Sequence, residues 1–380
     1  MRHHNTVFHD LTKHIPWNQF DRLVAVHGSD HRVRRLSCKS QFLALLYGQI
    51  SGAQSLREIE AGLASHKARL YHLGAQEVAR STLSDANSTR PSALFEELFA
   101  HMARRAGRSL RRHLRDGMRI LDATRIELSP LCGGWAKGAK SVRSIKVHVV
   151  YDPDVQAPVT ALTSGPLVND ITPAKSLEIE SGATYVFDLG YYSFDWWARL
   201  HAQDCRFVTR LKRHTSLRGT QPNPVADGPD ADHILADQTG FLPLPHGRDL
   251  SDPVREITVK IATGKVLRLI TNDLNSTATE IAQLYKMRWQ VELFFKWIKQ
   301  KLKLSKFLGR SENAVRTQIF TALIAHLLLC LAHASQTVVP RLATFVRLVS
   351  LNLMHRRPIT RLTEPPPPDI KPGQTEMAWL

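Results

Sequence analysis

Residues 118–129 read MRILDATRIELS, and the character of the chain changes at this point from helical to strand-like. The run is short and rich in branched apolar residues, which is typical of a β-strand. Similar runs follow at 144–152 and 159–165, and strand-like and helical runs then alternate through residues 184–212. Strands and helices joined by such short connections predict a mixed α/β sheet.

The segments on either side of these strands predict the remaining parts of the chain. Residues 1–115 have apolar residues at helical spacing, which indicates a helical N-terminal domain. Residues 116–350 would form one α/β domain, and the loop-rich then strand-rich segment at about 213–273, with a hairpin around Gly264, would be a β insertion within it. The proline-rich residues 351–380 are predicted to form a tail.

The charge of the chain limits the kind of partner it has. Lysine and arginine number 51 against 34 acids, which gives a net charge of +17 in 380 residues. This excess favours a polyanion, nucleic acid first, although a merely basic soluble protein has the same composition. Four scattered cysteines lack zinc-finger spacing and suit a reducing, cytoplasmic interior. The run Phe320–Ala334 predicts a buried core helix, and we expect no signal peptide and no membrane span.

Three acidic residues are candidate ligands for a metal ion. Asp122 lies inside an apolar strand, and Asp188 ends another strand just before a Leu-Gly turn. A charge in a strand core is costly unless it is paired or bound to metal. With strands about 4.8 Å apart, the two aspartates and Glu292 from a helix across the sheet would suit Mg²⁺ or Mn²⁺. A single aspartate at a strand end is more simply a turn former, and the weaker rivals for the site are Glu127, Asp152, Asp154 and Asp170.

The helix that would supply Glu292 is predicted over residues 281–301, IAQLYKMRWQVELFFKWIKQK. At about 100° per residue, the side chains that fall within one arc of about 60° are Tyr285, Arg288, Glu292 and Lys299. Thr277 and Glu280 have the spacing of a capping box, which predicts the start of the helix. The plainer interpretation is a solvated face on which Glu292 and Lys296 form an ordinary ion pair.

These residues together resemble the DDE transposases of the insertion-sequence type 4 family. The signature of that family, Y-(2)-R-(3)-E-(6)-K, is matched at every spacing by the four residues of the stripe. The first acid of the family follows an apolar strand, as Asp122 does, and the second stands in D-x-G-Y, as in residues 188–191. The long interval between Asp188 and Glu292 agrees with the β insertion that such enzymes carry.

The resemblance implies an RNase H-like catalytic domain and a cut-and-paste transposase. Asp122, Asp188 and Glu292 would bind two Mg²⁺ ions, for which Mn²⁺ would substitute. The enzyme would cleave DNA at terminal inverted repeats and join the freed ends to target DNA, as a homodimer at the bacterial nucleoid. The residues that would contact DNA are Tyr285, Arg288, Trp289 and Lys299. Trp289 would stack on a flipped base, or else it only packs the helix.

By the same resemblance, residues 1–115 would recognise the transposon ends. The polar run Ser81–Arg90 is interpreted either as a recognition helix or as an ordinary capped helix start. A second set of side chains would contact phosphate or form a solvated face. Its members are Arg104, Arg105, Arg108, Arg111, Arg112 and Arg115.

Two other functions stay open from the sequence. A non-catalytic DNA-binding protein, such as a regulator or an inactive transposase remnant, would need the basic charge but not the three acids. A host nuclease of RNase H-like fold would need the acids but not the stripe from Tyr285 to Lys299. Mg²⁺-dependent cleavage of a matching DNA end separates these functions.

Overall fold

A nine-stranded mixed sheet lies at the centre of the computed structural model, which describes residues 5–110, 117–138, 142–225, 233–243, 250–302 and 306–364. The strands are β1 (Met118–Glu127), β2 (Ser144–Asp152), β3 (Ala157–Ser164), β4 (Thr184–Phe187), β5 (Arg206–Arg210), β6 (Arg218–Pro222), β7 (Ile234–Phe241), β8 (Val254–Lys260) and β9 (Val266–Thr271). They follow the order β3-β2-β1-β4-β5-β9-β8-β7-β6 across the sheet. The predicted mixed α/β sheet is therefore confirmed.

The register of β1 brings two of the predicted acids together. β1 pairs antiparallel with β2 and parallel with β4, while β3 and β5 extend the sheet outward on the two sides. The parallel ladder aligns Leu121 with Phe187. Asp122 and Asp188 each come one residue later, so they stand on neighbouring strands at the point where β4 ends.

The segment predicted as a β insertion continues the same sheet. β9 pairs antiparallel with β5, and β8, β7 and β6 follow it in turn. The predicted hairpin is β8 and β9, and its turn contains Gly264, whose φ of +80° favours glycine. The insertion therefore lengthens the sheet edge beyond β5.

Helices cover both faces of the sheet. Within residues 5–110 they are α1 (Val7–Thr12), α2 (Trp17–Val26), α3 (Cys38–Ser51), α4 (Leu56–Ala64), α5 (Lys67–Leu70), α6 (Arg80–Thr89) and α7 (Ala93–Leu110). After β3 come α8 (Ile171–Ala174), α9 (Phe194–His201), α10 (Ala278–Met287), α11 (Trp289–Lys301), α12 (Glu312–Ala334) and α13 (Leu342–Asn352). Short 3₁₀ helices lie at Tyr71–Leu73, Gly134–Ala136, Leu189–Tyr191 and Ile359–Arg361.

The helix α12 forms the centre of one helical layer. It packs against α3, α6, α7 and β3, and its side chains are buried almost throughout. One hydrophobic cluster consequently runs from the N-terminal helices through α12 to one face of the sheet. The prediction of a buried core helix at Phe320–Ala334 is confirmed. Among the described residues α12 is also the one helix long and apolar enough to cross a membrane, and 89% of its apolar window is buried inside the protein.

The opposite face of the sheet is covered by α8 and α9. Trp196 and Trp197 of α9 are fully buried. Their ring centroids lie 4.8 Å from that of Phe187 and 5.4 Å from that of Phe207, respectively. Large aromatic rings stabilise a core through the area they bury. This packing holds the end of β4, after which Asp188 follows.

Candidate active site

Backbone amides orient both predicted aspartates. Asp122 lies within β1, and because side chains alternate along a strand it shares the face of Ile120, which is buried under the α12 layer. The Ala123 N–H donates a hydrogen bond of 2.8 Å to Oδ1 of Asp122. The Gly190 N–H donates one of 2.8 Å to Oδ1 of Asp188. Each carboxylate therefore has its direction set by its own backbone.

The predicted single helix over residues 281–301 is wrong, because the structure divides it into α10 and α11 at Arg288. There the Arg288 N–H bonds to Tyr285 O (3.1 Å) and the Val291 N–H to Arg288 O (3.3 Å), which is the three-residue spacing of a 3₁₀ turn. Arg288 keeps helical dihedral angles, so hydrophobic periodicity does not register the tighter turn. The capping box that begins α10 at Thr277 is confirmed.

Arg288 joins the first and third predicted acids. One guanidinium nitrogen lies 3.3 Å from Oδ2 of Asp122 and another lies 2.5 Å from Oε1 of Glu292. The side chains of Arg288 and Asp122 are only 17% and 16% exposed. The ordinary pair between Glu292 and Lys296, expected for a solvated face, is replaced by this inward pair. The interpretation of the stripe as a plain solvated face is therefore contradicted for Arg288 and Glu292.

The electrostatics of the site follow from this convergence. Burial is the main cause that raises the pKa of Asp122 to about 7, and the charges of Asp188 and Glu292 act in the same direction. The Ala123 N–H and the Arg288 guanidinium oppose the rise. Burial also raises the pKa of Tyr191, with the charges of nearby carboxylates in support. Burial and the neighbouring carboxylates thus act together to disfavour the ionised form of Asp122.

The donor chemistry of the site fits a divalent cation. Carboxylate oxygens are the ligands that Mg²⁺ and Mn²⁺ prefer, and Asp122 and Glu292 already present such oxygens to one positive group, the Arg288 guanidinium. Across the described ranges, no three acids, histidines or cysteines are already gathered at ligating distance. Two nitrogens of Arg288 hold Asp122 and Glu292 instead. A cation would bind both carboxylates once the guanidinium has left them.

The other residues of the predicted stripe divide between two cavities. Lys299 donates a hydrogen bond of 2.9 Å to the Arg125 carbonyl of β1, and it lines a cleft of about 460 Å³ with Asp122 and Glu292. The second cavity, of about 540 Å³, lies between α10 and the strands of the insertion, and its lining includes Tyr285, Arg288 and Trp289. The ring centroid of Tyr285 lies 5.9 Å from Cζ of Arg288. Trp289 is 58% exposed, so packing against the helices accounts for less than half of its surface.

An ion pair near the site is not predicted from the sequence. Lys146 of β2 pairs with Asp170 at 2.8 Å; the sequence analysis does not identify Lys146, and it offers Asp170 only as a weaker candidate for the acid site. The available signal was a lysine inside the apolar strand 144–152. Another rival, Asp152, is fully buried and pairs with Arg119 at 3.2 Å near the start of β1, where it serves the fold.

Comparison with known proteins gives the family. A family model described as "Transposase DDE domain" matches residues 114–328, and one described as a domain of unknown function matches residues 3–76. A Sinorhizobium fredii protein named as transposase y4zB is 40% identical over 307 residues, covering 78% of this chain and 86% of that protein. A Geobacillus stearothermophilus protein named as a transposase for insertion sequence element IS5377 is 28% identical over 258 residues, covering 66% of each. A cryo-EM structure of a piggyBac transposase synaptic complex with hairpin DNA aligns at 11% identity and a TM-score of 0.43, over 92% of this chain and 78% of that one.

The DDE match spans more than half of the chain and contains Asp122, Asp188 and Glu292. The relative from S. fredii is similar over 78% of the chain, so the similarity extends beyond this domain. Members of the DDE family bind DNA and depend on a divalent metal ion. The chain therefore belongs to the DDE transposases of insertion sequences, enzymes that cleave DNA and transfer its strands.

Proposed function

We propose that this transposase cuts DNA at the terminal inverted repeats of its insertion sequence and joins the freed 3′ ends to target DNA in a cut-and-paste reaction. The catalytic residues are Asp122, Asp188 and Glu292. One observation carries the proposal: Asp122 on β1 and Asp188 directly after the neighbouring parallel strand β4 each follow the aligned pair Leu121 and Phe187, and Glu292 shares the Arg288 guanidinium with Asp122. The intact type 4 signature on α10 and α11 supports the same assignment.

The three carboxylates would hold two Mg²⁺ ions, with Mn²⁺ as a substitute. When bound, the ions supply activation of a water or a 3′ hydroxyl and stabilisation of the leaving oxygen. The protein contributes the placement of the ligands. Ala123 and Gly190 fix the two aspartates through their backbone amides, and the packing of α11 against β1 holds Glu292 above them.

We assign residues 116–350 to an RNase H-like catalytic domain with an insertion at about 213–273. Strand order and direction support this assignment, since β1, β2 and β3 form an antiparallel unit and β4 and β5 add parallel to β1 on its other side. The placement of the acids supports it as well, because they lie on β1, after β4 and on a helix that crosses β1.

The DNA contacts in this proposal come from the residues around the two cavities. Arg288 would move from the carboxylates to phosphate oxygens, which a guanidinium binds through two nitrogens. Lys299 would contact backbone phosphate at the end of the cleft, and Tyr285 would contact the backbone beside Arg288. The exposed indole of Trp289 is suited to stack on a flipped base, an interaction that contributes about 1 to 3 kcal/mol.

We further propose that residues 1–115 bind the transposon ends. α6 buries Leu83, Ala86 and Asn87 and exposes a polar face that includes Ser84 and Ser88. Ala79 precedes α6 without a side-chain cap bond, so the serines and threonines of Ser81–Arg90 lie within the helix, and the interpretation of a capped start is wrong.

Basic side chains accompany this helix. A cavity of about 610 Å³ separates α6 from the loop before α3, where Arg34 and Arg35 are exposed. On α7, Arg104 and Arg105 are exposed as well. The predicted phosphate-binding set has four further arginines, which lie outside the described residues: the side chain of Arg108 and residues 111, 112 and 115. Residues 365–380, most of the predicted tail, also lie outside them. Arg34 and Arg35, which line this cavity opposite α6, support phosphate contact beside the helix.

Cut-and-paste transposition brings two ends together, so we propose a homodimer in the DNA-bound complex, acting at the nucleoid in the bacterial cytoplasm. The family match favours this function over a host nuclease or a non-catalytic regulator.

A cleavage and strand-transfer assay with a supercoiled donor plasmid and Mg²⁺ tests the proposal. Asp122→Asn, Asp188→Asn and Glu292→Gln are each expected to abolish cleavage while end binding in a gel shift is retained. The matched control is Asp154→Asn, which neutralises an exposed acid in the turn after β2. The proposal fails if all three catalytic substitutions leave end cleavage intact.

A further inference from the structure

The turn that carries Asp188 is supported from the opposite face of the sheet. The β1–β2 ladder pairs Asp122 with Val149 and Arg125 with Lys146. Because side chains alternate along a strand, Lys146 lies on the face opposite Asp122. There it approaches α8 and the short helix Leu189–Tyr191, which begins directly after Asp188.

Lys146 holds the chain segment before α8 by two contacts. Its Nζ donates a hydrogen bond of 2.7 Å to the Val168 carbonyl and one of 2.8 Å to Oδ1 of Asp170. The Lys146 side chain is only 15% exposed, so this ion pair is shielded from solvent. Asp170 stands at the N-cap position of α8 but makes no cap bond, because its carboxylate is directed to Lys146 instead.

Asp170 also packs against the turn itself. A Cβ placed on Gly190 would lie 3.0 Å from Oδ1 of Asp188 and 3.1 Å from Oδ2 of Asp170. Both carboxylates therefore lie beside the same glycine, where no side chain separates them, and two like charges on one turn repel each other unless a cation is near. Lys146 supplies that cation. On the other side of the turn, Tyr191 is 2% exposed and anchors it in the core.

We propose that Lys146 and Asp170 are positioning residues that hold the Asp188 turn, so that the Asp188 carboxylate faces Asp122. The inference rests on the proposed function of Asp188 as a metal ligand. Asp170 packs against Gly190 and limits the movement of the turn. Lys146 holds Asp170 in place and compensates its negative charge. Loss of either leaves Asp188 chemically intact but free to turn away from Asp122. Groups that orient metal ligands typically change metal affinity by about 10-fold to 100-fold when they are removed.

The test is a titration of the full-length chain with Mn²⁺, with free ion measured by electron paramagnetic resonance and the fold followed by thermal melting. Lys146→Met is expected to weaken Mn²⁺ binding by about 10-fold or more, and Lys146→Arg is expected to restore most of the affinity. The matched control is Lys175→Met, which removes a lysine that pairs with Asp195 at 2.7 Å at the other end of α8. This control should bind Mn²⁺ as the wild type does.

The positioning role is overturned if Lys146→Met binds Mn²⁺ as tightly as the wild type, or loses no more affinity than Lys175→Met. Asp188→Ala separates this failure from that of the metal site. If Asp188→Ala also binds Mn²⁺ normally, the proposed catalytic site is wrong. If Asp188→Ala weakens binding and Lys146→Met does not, only the positioning role is wrong. Should Lys146→Met not fold, Asp170→Asn takes its place in the same titration and under the same criteria.

Discussion

Arg288 should compete with divalent cations for the carboxylates as long as DNA is absent. Its pair with Asp122, at 3.3 Å and 16% to 17% exposure, is a charged hydrogen bond of about 1.5 to 3 kcal/mol. Its pair with Glu292, which is 35% exposed, contributes about 0.5 kcal/mol after screening by solvent. A cation that takes both carboxylates breaks both pairs, at a cost of about 2 kcal/mol or more. Arg288→Met is therefore predicted to tighten metal binding by about 25-fold or more, at 1.4 kcal/mol per tenfold.

The assay is a Mn²⁺ titration of the full-length protein without DNA. Lys296→Met is the matched control, because Lys296 lines the same cleft and carries the same charge. An exposed lysine is screened by solvent, so this control should tighten Mn²⁺ binding only slightly. When a transposon-end duplex is added, its phosphates should draw the guanidinium away, and the affinity of the wild type should approach that of Arg288→Met.

Two results would refute this reasoning. Equal Mn²⁺ affinities for Arg288→Met and Lys296→Met would show that the arginine acts only as a distant charge. A weaker affinity in Arg288→Met would show that the arginine organises the carboxylates for the ion. In either case the pairs seen between Arg288 and the two acids would not be a barrier to metal binding.

Three further predictions concern residues around and beneath the site. Gly190→Ala places a carbon 3.0 Å from the Asp188 carboxylate, so we expect DNA cleavage to fall by about 10-fold or more with an unchanged melting temperature; full activity would contradict the tight packing. Gly48→Ala would overlap the buried Ile59 side chain of α4, and urea unfolding should show a loss of about 1 to 3 kcal/mol. Burial lowers the pKa of His326 from 6.5 to about 4. Between pH 6.5 and 4 this histidine therefore binds a proton in the unfolded chain but not in the folded one, and the protein loses stability as the pH falls through this range. Between pH 7 and 5 the wild type should lose about 2 kcal/mol more than His326→Gln in urea unfolding, and equal losses would contradict the burial argument.

The sequence by itself determined the local elements of this protein. The capping box at Thr277, the hairpin closed at Gly264 and the buried helix α12 all appeared where they were predicted. Each depends on residues close together in the chain, namely a capping side chain, a glycine that accepts positive φ, and an apolar run with no polar face. Such interactions leave a pattern that composition and spacing reveal.

The convergence of the acids needed the sheet register. The sequence predicts Asp122, Asp188 and Glu292 as site residues, yet the proximity of the two aspartates depends on the parallel ladder that aligns Leu121 with Phe187. Backbone hydrogen bonds between distant strands set that alignment, and a shift of one residue would turn a side chain to the other face of the sheet. The spacing of motifs along the chain contains no information on such a shift.

Only the tertiary structure decided which partners the charged residues take. At helical spacing Glu292 had both Arg288 and Lys296 within reach, and it pairs with Arg288 because that guanidinium also faces the buried carboxylate of Asp122. Lys146 finds Asp170 in the same way, across a loop that no periodicity describes. A buried charge is stabilised by whichever opposite charge the fold places beside it, so its partner is determined by packing in three dimensions and not by distance along the chain.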